Sequence, residues 1–453
     1  MLPGRFVERV LRELGADEGG ALCRALEGES PVSVRLNAAK GLAAPSGRPI
    51  GWSADGYYLD GRPSFTLDPD FHAGRYYVQE ASSQFVGHLV AACGGAEAGR
   101  VLDLCAAPGG KTTLYATLAG RNGLVVANEI NRSRAAVLAD NIRKWGLGNV
   151  AVTVNDPSQI ARMEGWFDVV AVDAPCSGEG MFRKSEEARA EWSEANVAMC
   201  TERQQAILRE AWRALRPGGL LLYSTCTFNF TENEGVLRAF TAWAADETEP
   251  AGRVPVDADW GIVCGAEGDF QTFRFYPHRT LGEGFFASVV RKRAGTGERL
   301  RLPKLQRNPV VWAERRAVQE LRRWVAEPEA MRFAAVGDTF YGFWEAQAQA
   351  VQSLSGVLNV IASGVELGQL FKGVLKPAHA LALFNGLNRT ATAVCDLSRE
   401  EALCYLRRGE VAAGRFAEGM NLVSADDAAL GFAKRIGRRC NNLYPNSLRI
   451  RKG

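Results

Sequence analysis

A chain of 453 residues, 47% hydrophobic and 23% charged, has room for two or three domains with full cores, which excludes a disordered or fibrous protein. Its net charge of +3 is too small to announce a nucleic-acid partner by itself. No uncharged apolar run reaches the roughly 18 residues of a membrane span, and residues 1–9 lack the apolar core of a signal peptide, so a cytoplasmic protein with no membrane partner is expected. The ten cysteines include no C-x-x-C pair, and the four histidines suggest no metal-ligand spacing. That usage fits a reducing compartment and predicts no metal.

In chain order, residues 1–95 read as an α+β segment. From about Arg100 to Arg293 apolar runs alternate with helical patterns, the signature of parallel βαβ units. Predicted strands are Arg100–Leu104, Gly123–Asn128, Val150–Val154, Phe167–Val172 and Leu220–Tyr223, with Phe285–Val290 as a closing edge strand. Predicted helices are Lys111–Ala119, Asn131–Trp145 and Glu202–Leu215, the last carrying Ile207, Leu208, Ala211, Trp212 and Leu215 on one face and stopped by Pro217-Gly218-Gly219. This places an α/β domain at 96–293, followed by a charged linker at 291–297. An intermediate domain at 303–378, with a helix over Trp312–Val325, and a compact unit at 380–453 complete the chain.

The turn Cys105-Ala106-Ala107-Pro108-Gly109-Gly110-Lys111 follows the first strand of the α/β domain, where open α/β sheets bind ligands. Gly110-Lys111-Thr112 could end a phosphate-binding loop, but that loop needs glycine where Cys105 stands, and Gly-x-Gly-x-x-Gly is absent too. S-adenosyl-L-methionine, a nucleoside without phosphate, remains as the cofactor. Acidic residues end the next three strands: Glu129 to accept from ribose hydroxyls, Asp156 to meet adenine, and Asp173 in reach of the methionine amino group or a base. Singly, each could equally cap a helix.

Cys176 and Cys226 each lie just past an apolar, strand-like run, whereas packing cysteines lie inside one. Such a pair points to thiol chemistry on a nucleobase. Cytosine C5 is too weakly nucleophilic to take a methyl group until a nucleophile adds at C6, and a thiolate splits that hard step into two easier ones.

CAAPGGK at 105–111, DAPCSGEG at 173–180 and STCTF at 224–228 together resemble the signature of the RNA cytosine-5 methyltransferases of the Sun and nucleolar-protein type. Tyr76–Ser83, Ser33–Asn37 with its Arg-x-Asn element, and Arg274–His278 with Gly282–Phe286 are similar to that family's flanking motifs. The C-terminal extension, with Gly431–Lys434 and Asn442–Pro445, is most similar to the bacterial RsmF ribosomal RNA methyltransferase subgroup.

The resemblance implies a Rossmann-like S-adenosylmethionine-dependent methyltransferase sheet, an N-terminal RNA-binding segment and a PUA-like RNA-binding module at the end. It implies Cys226 as the nucleophile, Cys176 in product release and Asp173 at the N3/N4 edge of the base; DNA enzymes use the Pro-Cys thiol as nucleophile instead. Lys111 would bind near the methionine end or assist thiol ionisation. Small-subunit (16S) ribosomal RNA, free or in the small subunit, is the implied partner, and a monomer is the default expectation. The same chemistry on transfer RNA and a non-catalytic ribosome-assembly factor stay open. From Gly431 onward seven cations and no acidic residue supply phosphate attraction. Arg35, Lys434, Arg435, Arg438 and Arg439 are the candidate RNA contacts.

Overall fold

The computed structural model describes residues 1–96, 98–295 and 310–451. Residues 296–297 of the expected linker, 303–309 of the expected intermediate domain and Lys452 of the basic run lie outside the described residues.

The chain opens with helix α1 (Gly4–Leu26), interrupted at Gly15, whose φ of 82° is non-helical. Strand β1 (Val32–Leu36), β2 (Gly56–Leu59), helix α2 (Pro69–Ala73) and β3 (Tyr76–Val78) follow, the strands forming an antiparallel sheet in the order β2-β1-β3. Helix α3 (Phe85–Ala92) leads into β4 (Arg100–Asp103), α4 (Gly110–Ala119), β5 (Leu124–Asn128), α5 (Arg132–Trp145), β6 (Val150–Thr153), α6 (Pro157–Ile160) and β7 (Phe167–Asp173). Next come α7 (Glu186–Glu191), α8 (Glu194–Ala214), β8 (Leu215–Thr225), α9 (Val236–Trp243), β9 (Thr248–Pro250), β10 (Val263–Glu267), β11 (Phe270–Phe275) and β12 (Phe285–Lys292).

The central sheet runs β10-β11-β12-β8-β7-β4-β5-β6, parallel from β8 through β6. Parallel strands buried on both faces read as continuous apolar runs, and here successive residues go to opposite cores. Leu102, Val126, Val170 and Leu221 join Ile207, Leu208 and Trp212 of α8 on one face. Val101, Val125, Val169 and Leu220 join Phe85 of α3, Leu114 of α4 and Leu138 of α5 on the other. The result is the expected Rossmann-like α/β sheet. The chain leaves β4 toward β5 and β6, then returns to β7 on the other side, so the topological switch point lies between β4 and β7.

Three expectations need correction. Strand β12 is not an edge, because the hairpin β10–β11 continues the sheet beyond it. Helix α8 begins eight residues before the expected Glu202, at Glu194, where Ser193 caps it by accepting from the Asn196 N–H at 3.1 Å. Trp312 is not helical: it pairs with Ala334 in a strand.

The remainder contains β13 (Val311–Trp312), α10 (Arg315–Arg322), β14 (Met331–Val336), β15 (Thr339–Trp344), α11 (Glu345–Val357), β16 (Val360–Ser363), β17 (Val365–Phe371), β18 (Val374–Pro377) and α12 (His379–Leu383). Its sheet is ordered β13-β14-β15-β17-β18, while β16 leaves it to pair antiparallel with β6 and extend the central sheet. Val351 and Leu354 of α11 share the core of α8, so this segment packs directly on the methyltransferase sheet. The last elements are β19 (Ala393–Asp396), α13 (Arg399–Leu406), β20 (Gly419–Ala425), β21 (Ala428–Ile436) and β22 (Arg439–Asn442), with the four strands in one sheet. Among the described residues no helix is long and apolar enough to cross a membrane.

Candidate active site

Strands β7 and β8 pair in parallel with Asp173 beside Ser224. The chain therefore delivers Cys176, three residues past Asp173, and Cys226, two past Ser224, to the same rim of the sheet. Their sulfurs lie 3.3 Å apart, both thiols half-buried. Lys111 donates to Asp173 Oδ2 at 2.8 Å and the Ser224 hydroxyl to Asp173 Oδ1 at 2.9 Å, so both carboxylate oxygens are held.

The charges follow from this arrangement. The sulfur contact with Cys226, then burial, pushes the Cys176 thiol far above its ordinary range, which keeps its proton on. Burial works against the Lys111 ammonium, but Asp173 and the neighbouring Cys226 outweigh it and raise its pKa. Lys111 is thus a fixed cation within electrostatic reach of Cys226. Behind it, the fully buried Asp103 accepts from the Thr112 hydroxyl at 2.6 Å and is pushed by burial up to about 7.

Two buried carboxylates to which the sequence reading gave no role shape the cysteine loops. Glu232 accepts from the Ser177 N–H at 2.8 Å, the Ser177 hydroxyl at 2.5 Å and the Gln204 amide at 3.2 Å. Glu179 accepts from Arg9 at 2.5 Å, Trp192 at 3.0 Å and the Phe228 N–H at 3.0 Å. Each carboxylate ties the loop after β7 to the loop after β8. Gly180 closes the same junction: its N–H donates to the Cys226 carbonyl at 2.8 Å, and a Cβ there would stand 2.7 Å from that oxygen and from Gly284 O. Glu179 lies inside the motif at 173–180, and the sequence signal for Glu232 was the density of polar residues from Asn229 to Glu234 just after the Thr-Cys motif.

A cavity of about 830 Å³ opens at these strand ends, lined by Leu104, Glu129, Asp156, Asp173, Cys176 and Cys226 among others. The turn at 105–111 forms one wall through Cys105 and Ala107, whereas Ala106, Pro108, Gly109, Gly110 and Lys111 stand behind it. Gly109 starts α4 with φ 113°, a conformation reserved for glycine, and a Cβ would meet Leu138 at 3.0 Å. Burial and the carboxylates of Asp103, Asp173 and Glu129 push the Cys105 thiol well up, so it is no nucleophile. Glu129 is held by the Asn131 N–H at 2.9 Å and by Arg134 at 3.4 Å; Arg134 also donates to the Ala107 carbonyl at 3.1 Å. Asp156 caps α6 through the Ser158 N–H at 2.9 Å while lining the cavity. Arg134 and the 60% exposed Ile130 are cavity residues that the sequence reading missed. Carboxylate acceptors at three strand ends and apolar Leu104, Ile130 and Ile207 fit a cationic nucleoside, and the volume falls in the usual range for such ligands.

Of the candidate RNA contacts, Arg35 is a correction. It is 3% exposed, donates to Gln79 at 2.8 Å and Thr113 at 2.6 Å, and stacks on Trp145, so it joins the N-terminal sheet to α4 and α5 and meets no RNA. Arg435 donates to the Phe416 carbonyl at 2.6 Å and is half-buried, whereas Lys434, Arg438 and Arg439 are exposed.

The sheet, the cavity at its switch point and the paired strand-end thiols define a class I S-adenosylmethionine-dependent methyltransferase of the RNA cytosine type. Three family models match: "16S rRNA methyltransferase RsmB/F" over residues 93–291, "N-terminal domain of 16S rRNA methyltransferase RsmF" over 2–81 and "Methyltransferase RsmF PUA domain" over 392–450. Ribosomal RNA small subunit methyltransferase F of Erwinia tasmaniensis is 32% identical over 89% of this chain and 85% of that protein. The same-named protein of Shewanella baltica is 31% identical over 98% and 96%. A methyltransferase homolog protein from Pyrococcus horikoshii superposes with a TM-score of 0.51 at 26% identity, over 63% of this chain and 94% of that one. The chain belongs to the RsmF family of RNA methyltransferases.

Proposed function

We propose that this enzyme methylates C5 of cytosine in small-subunit (16S) ribosomal RNA, as a cytoplasmic monomer, through a covalent adduct on Cys226. The carrying observation is the pair of sulfurs 3.3 Å apart beside the Lys111–Asp173 ion pair. S-adenosylmethionine, when bound, supplies an electrophilic methyl group. Glu129 would hold its ribose hydroxyls and Asp156 its adenine side, with Asp173 near its methionine end.

Lys111, already cationic, stabilises the Cys226 thiolate, which adds to C6 and forms the C–S bond. Asp173 accepts from the N4 amino group and fixes the ring edge. With the methyl group on C5, a water positioned by the protonated Cys176 takes the C5 proton; the C–H electrons re-form the C5–C6 double bond, and the C6–S bond breaks and returns the thiolate to Cys226. The base must leave its stack to reach the rim. Exposed Lys434, Arg438 and Arg439 supply phosphate attraction from the C-terminal module.

The decisive experiment incubates the protein with labelled S-adenosylmethionine and naked 16S ribosomal RNA, assembled small subunits or transfer RNA, then locates label by bisulfite sequencing. New 5-methylcytosine in 16S RNA is expected; label only in transfer RNA, or none, sinks the proposal.

A further inference from the structure

A second cavity, of about 540 Å³, lies where three parts of the chain meet: α2 of the N-terminal module, the C-terminal half of α5, and the segment 444–451 that ends the described chain. Its walls include His72, Arg143, Lys144, Tyr444, Arg449 and Arg451, with Asp140 as the carboxylate among its lining residues. Arg143 is engaged by Asp140 at 3.0 Å and by Glu366 at 3.6 Å. Lys144, Arg449 and Arg451 have no carboxylate partner among the described residues.

Arg143, Lys144, Arg449 and Arg451 outnumber Asp140, the carboxylate among the lining residues, and this excess of positive charge favours an anion between them. Lys144 lies against α2. Its ammonium stands 3.7 Å from the Phe71 ring centre, and burial holds its pKa down to about 8. An anion seated beside it would restore the full charge.

Helix α5 says which anion. Its first turns carry Arg134, which lines the cofactor cavity, and its last turn carries Arg143 and Lys144, which line the second one. Ten residues at the helical rise separate Arg134 from Lys144 by about 15 Å, a span of a few nucleotides of one strand. Asn141, between them, lines the second cavity and donates to the Pro108 carbonyl of the cofactor turn at 2.8 Å.

We propose that this cavity binds the phosphodiester backbone of the substrate RNA a few nucleotides from the target base, through Lys144, Arg449 and Arg451. The inference rests on the RNA-methylation reading and adds to it a specific anchoring point outside the catalytic rim. Phosphate, rather than base, is the ligand: Tyr444 is 2% exposed and packs against His379 and Tyr405, and the Phe71 ring is covered by Lys144.

The test uses the full-length protein with Lys144→Met, Arg449→Gln and Arg451→Gln combined, and separately Arg449→Gln with Arg451→Gln, two exposed positions whose change leaves the fold intact. Binding to a naked 16S RNA transcript is measured across a salt series. The triple variant should bind at least tenfold more weakly with a log–log salt slope about 2 shallower, and the double variant should lose about two-thirds of that slope change. Wild-type affinity and slope in both variants would overturn the site. So would normal transcript binding combined with lost methylation of assembled subunits only, since the partner would then be a ribosomal protein. Failure of the wild-type protein to methylate any RNA would instead overturn the function on which the site depends.

Discussion

Arg9 in the first helix and Glu179 in the loop after β7 form an ion pair at 2.5 Å, their side chains 9% and 0% exposed. Around it Phe6 and Val10 of α1 pack with Phe182, Trp192 and Phe228, so the N-terminal helix buttresses both cysteine loops. Removing one partner of such a pair leaves an uncompensated buried charge, at a cost of about 3–5 kcal/mol. Arg9→Met should therefore lower the unfolding free energy in urea by about 3 kcal/mol and reduce turnover as the loops loosen, whereas Arg9→Lys should recover part of both. An Arg9→Met protein of wild-type stability would show that Trp192 and Asn229 hold Glu179 unaided.

The cysteine roles divide by adduct. Cys176→Ala should retain attack on C6 but lose release, so a protein–RNA complex that survives denaturing electrophoresis should accumulate. Cys226→Ala should give no adduct and no product. The reverse pattern, an adduct on the Cys226→Ala protein, would assign the nucleophile to Cys176.

The periodicity of the apolar runs made the central sheet legible, because parallel strands buried on both faces have continuous apolar sequences and their helices a one-sided stripe. Cys176, Cys226 and Asp173 were legible for a simpler reason: each follows such a run, and parallel register carries that local fact into three dimensions. What escaped depends on contacts between distant segments. Glu232 sits beside Ser177 only because two loops meet across 55 positions, and β16 joins β6 across about two hundred residues. Arg35 misled because a charged residue is ordinarily exposed; here four hydrogen-bonding and stacking partners bury it.

Asp103 makes stability fall with pH in a definite window. Burial raises its pKa from 3.8 to about 7, so between those values the folded protein holds a proton that the unfolded chain releases. This contribution therefore declines as pH rises from about 4 and levels off above 7, by about 4 kcal/mol in all. Asp103→Asn can still accept from Thr112 and lacks the titration. The stability difference between variant and wild type should thus grow in the variant's favour from pH 4 to pH 7, read from urea unfolding at each pH. A difference constant across that range would show that Asp103 is ionised in the folded state.

Charge reversal at Arg438 and Arg439, both exposed where β21 turns into β22, tests the C-terminal module. RNA affinity should fall and its salt dependence flatten by about 1 or more, without change in thermal stability. An unchanged slope would make this hairpin tip a solvated surface with no part in RNA binding.

At Gly180 the backbones of the two catalytic loops touch directly, its N–H on the Cys226 carbonyl at 2.8 Å. Alanine would place a methyl group 2.7 Å from two carbonyl oxygens, those of Cys226 and Gly284, and backbone atoms cannot swing aside as a side-chain tip can. Relief requires moving the loop after β8, and with it the Cys226 sulfur relative to Cys176. Overpacking of this kind costs about 1–3 kcal/mol in stability. The larger effect should be on chemistry, since the thiol must meet C6 within a few tenths of an ångström of its productive position. Gly180→Ala should lower kcat at least tenfold while leaving the dissociation constant for S-adenosylmethionine near wild type, because Glu129 and Asp156 lie on other strand ends. A loss of cofactor affinity matching the loss of kcat would mean that the disturbance spreads through Asp173 to the cavity rather than staying at the thiols.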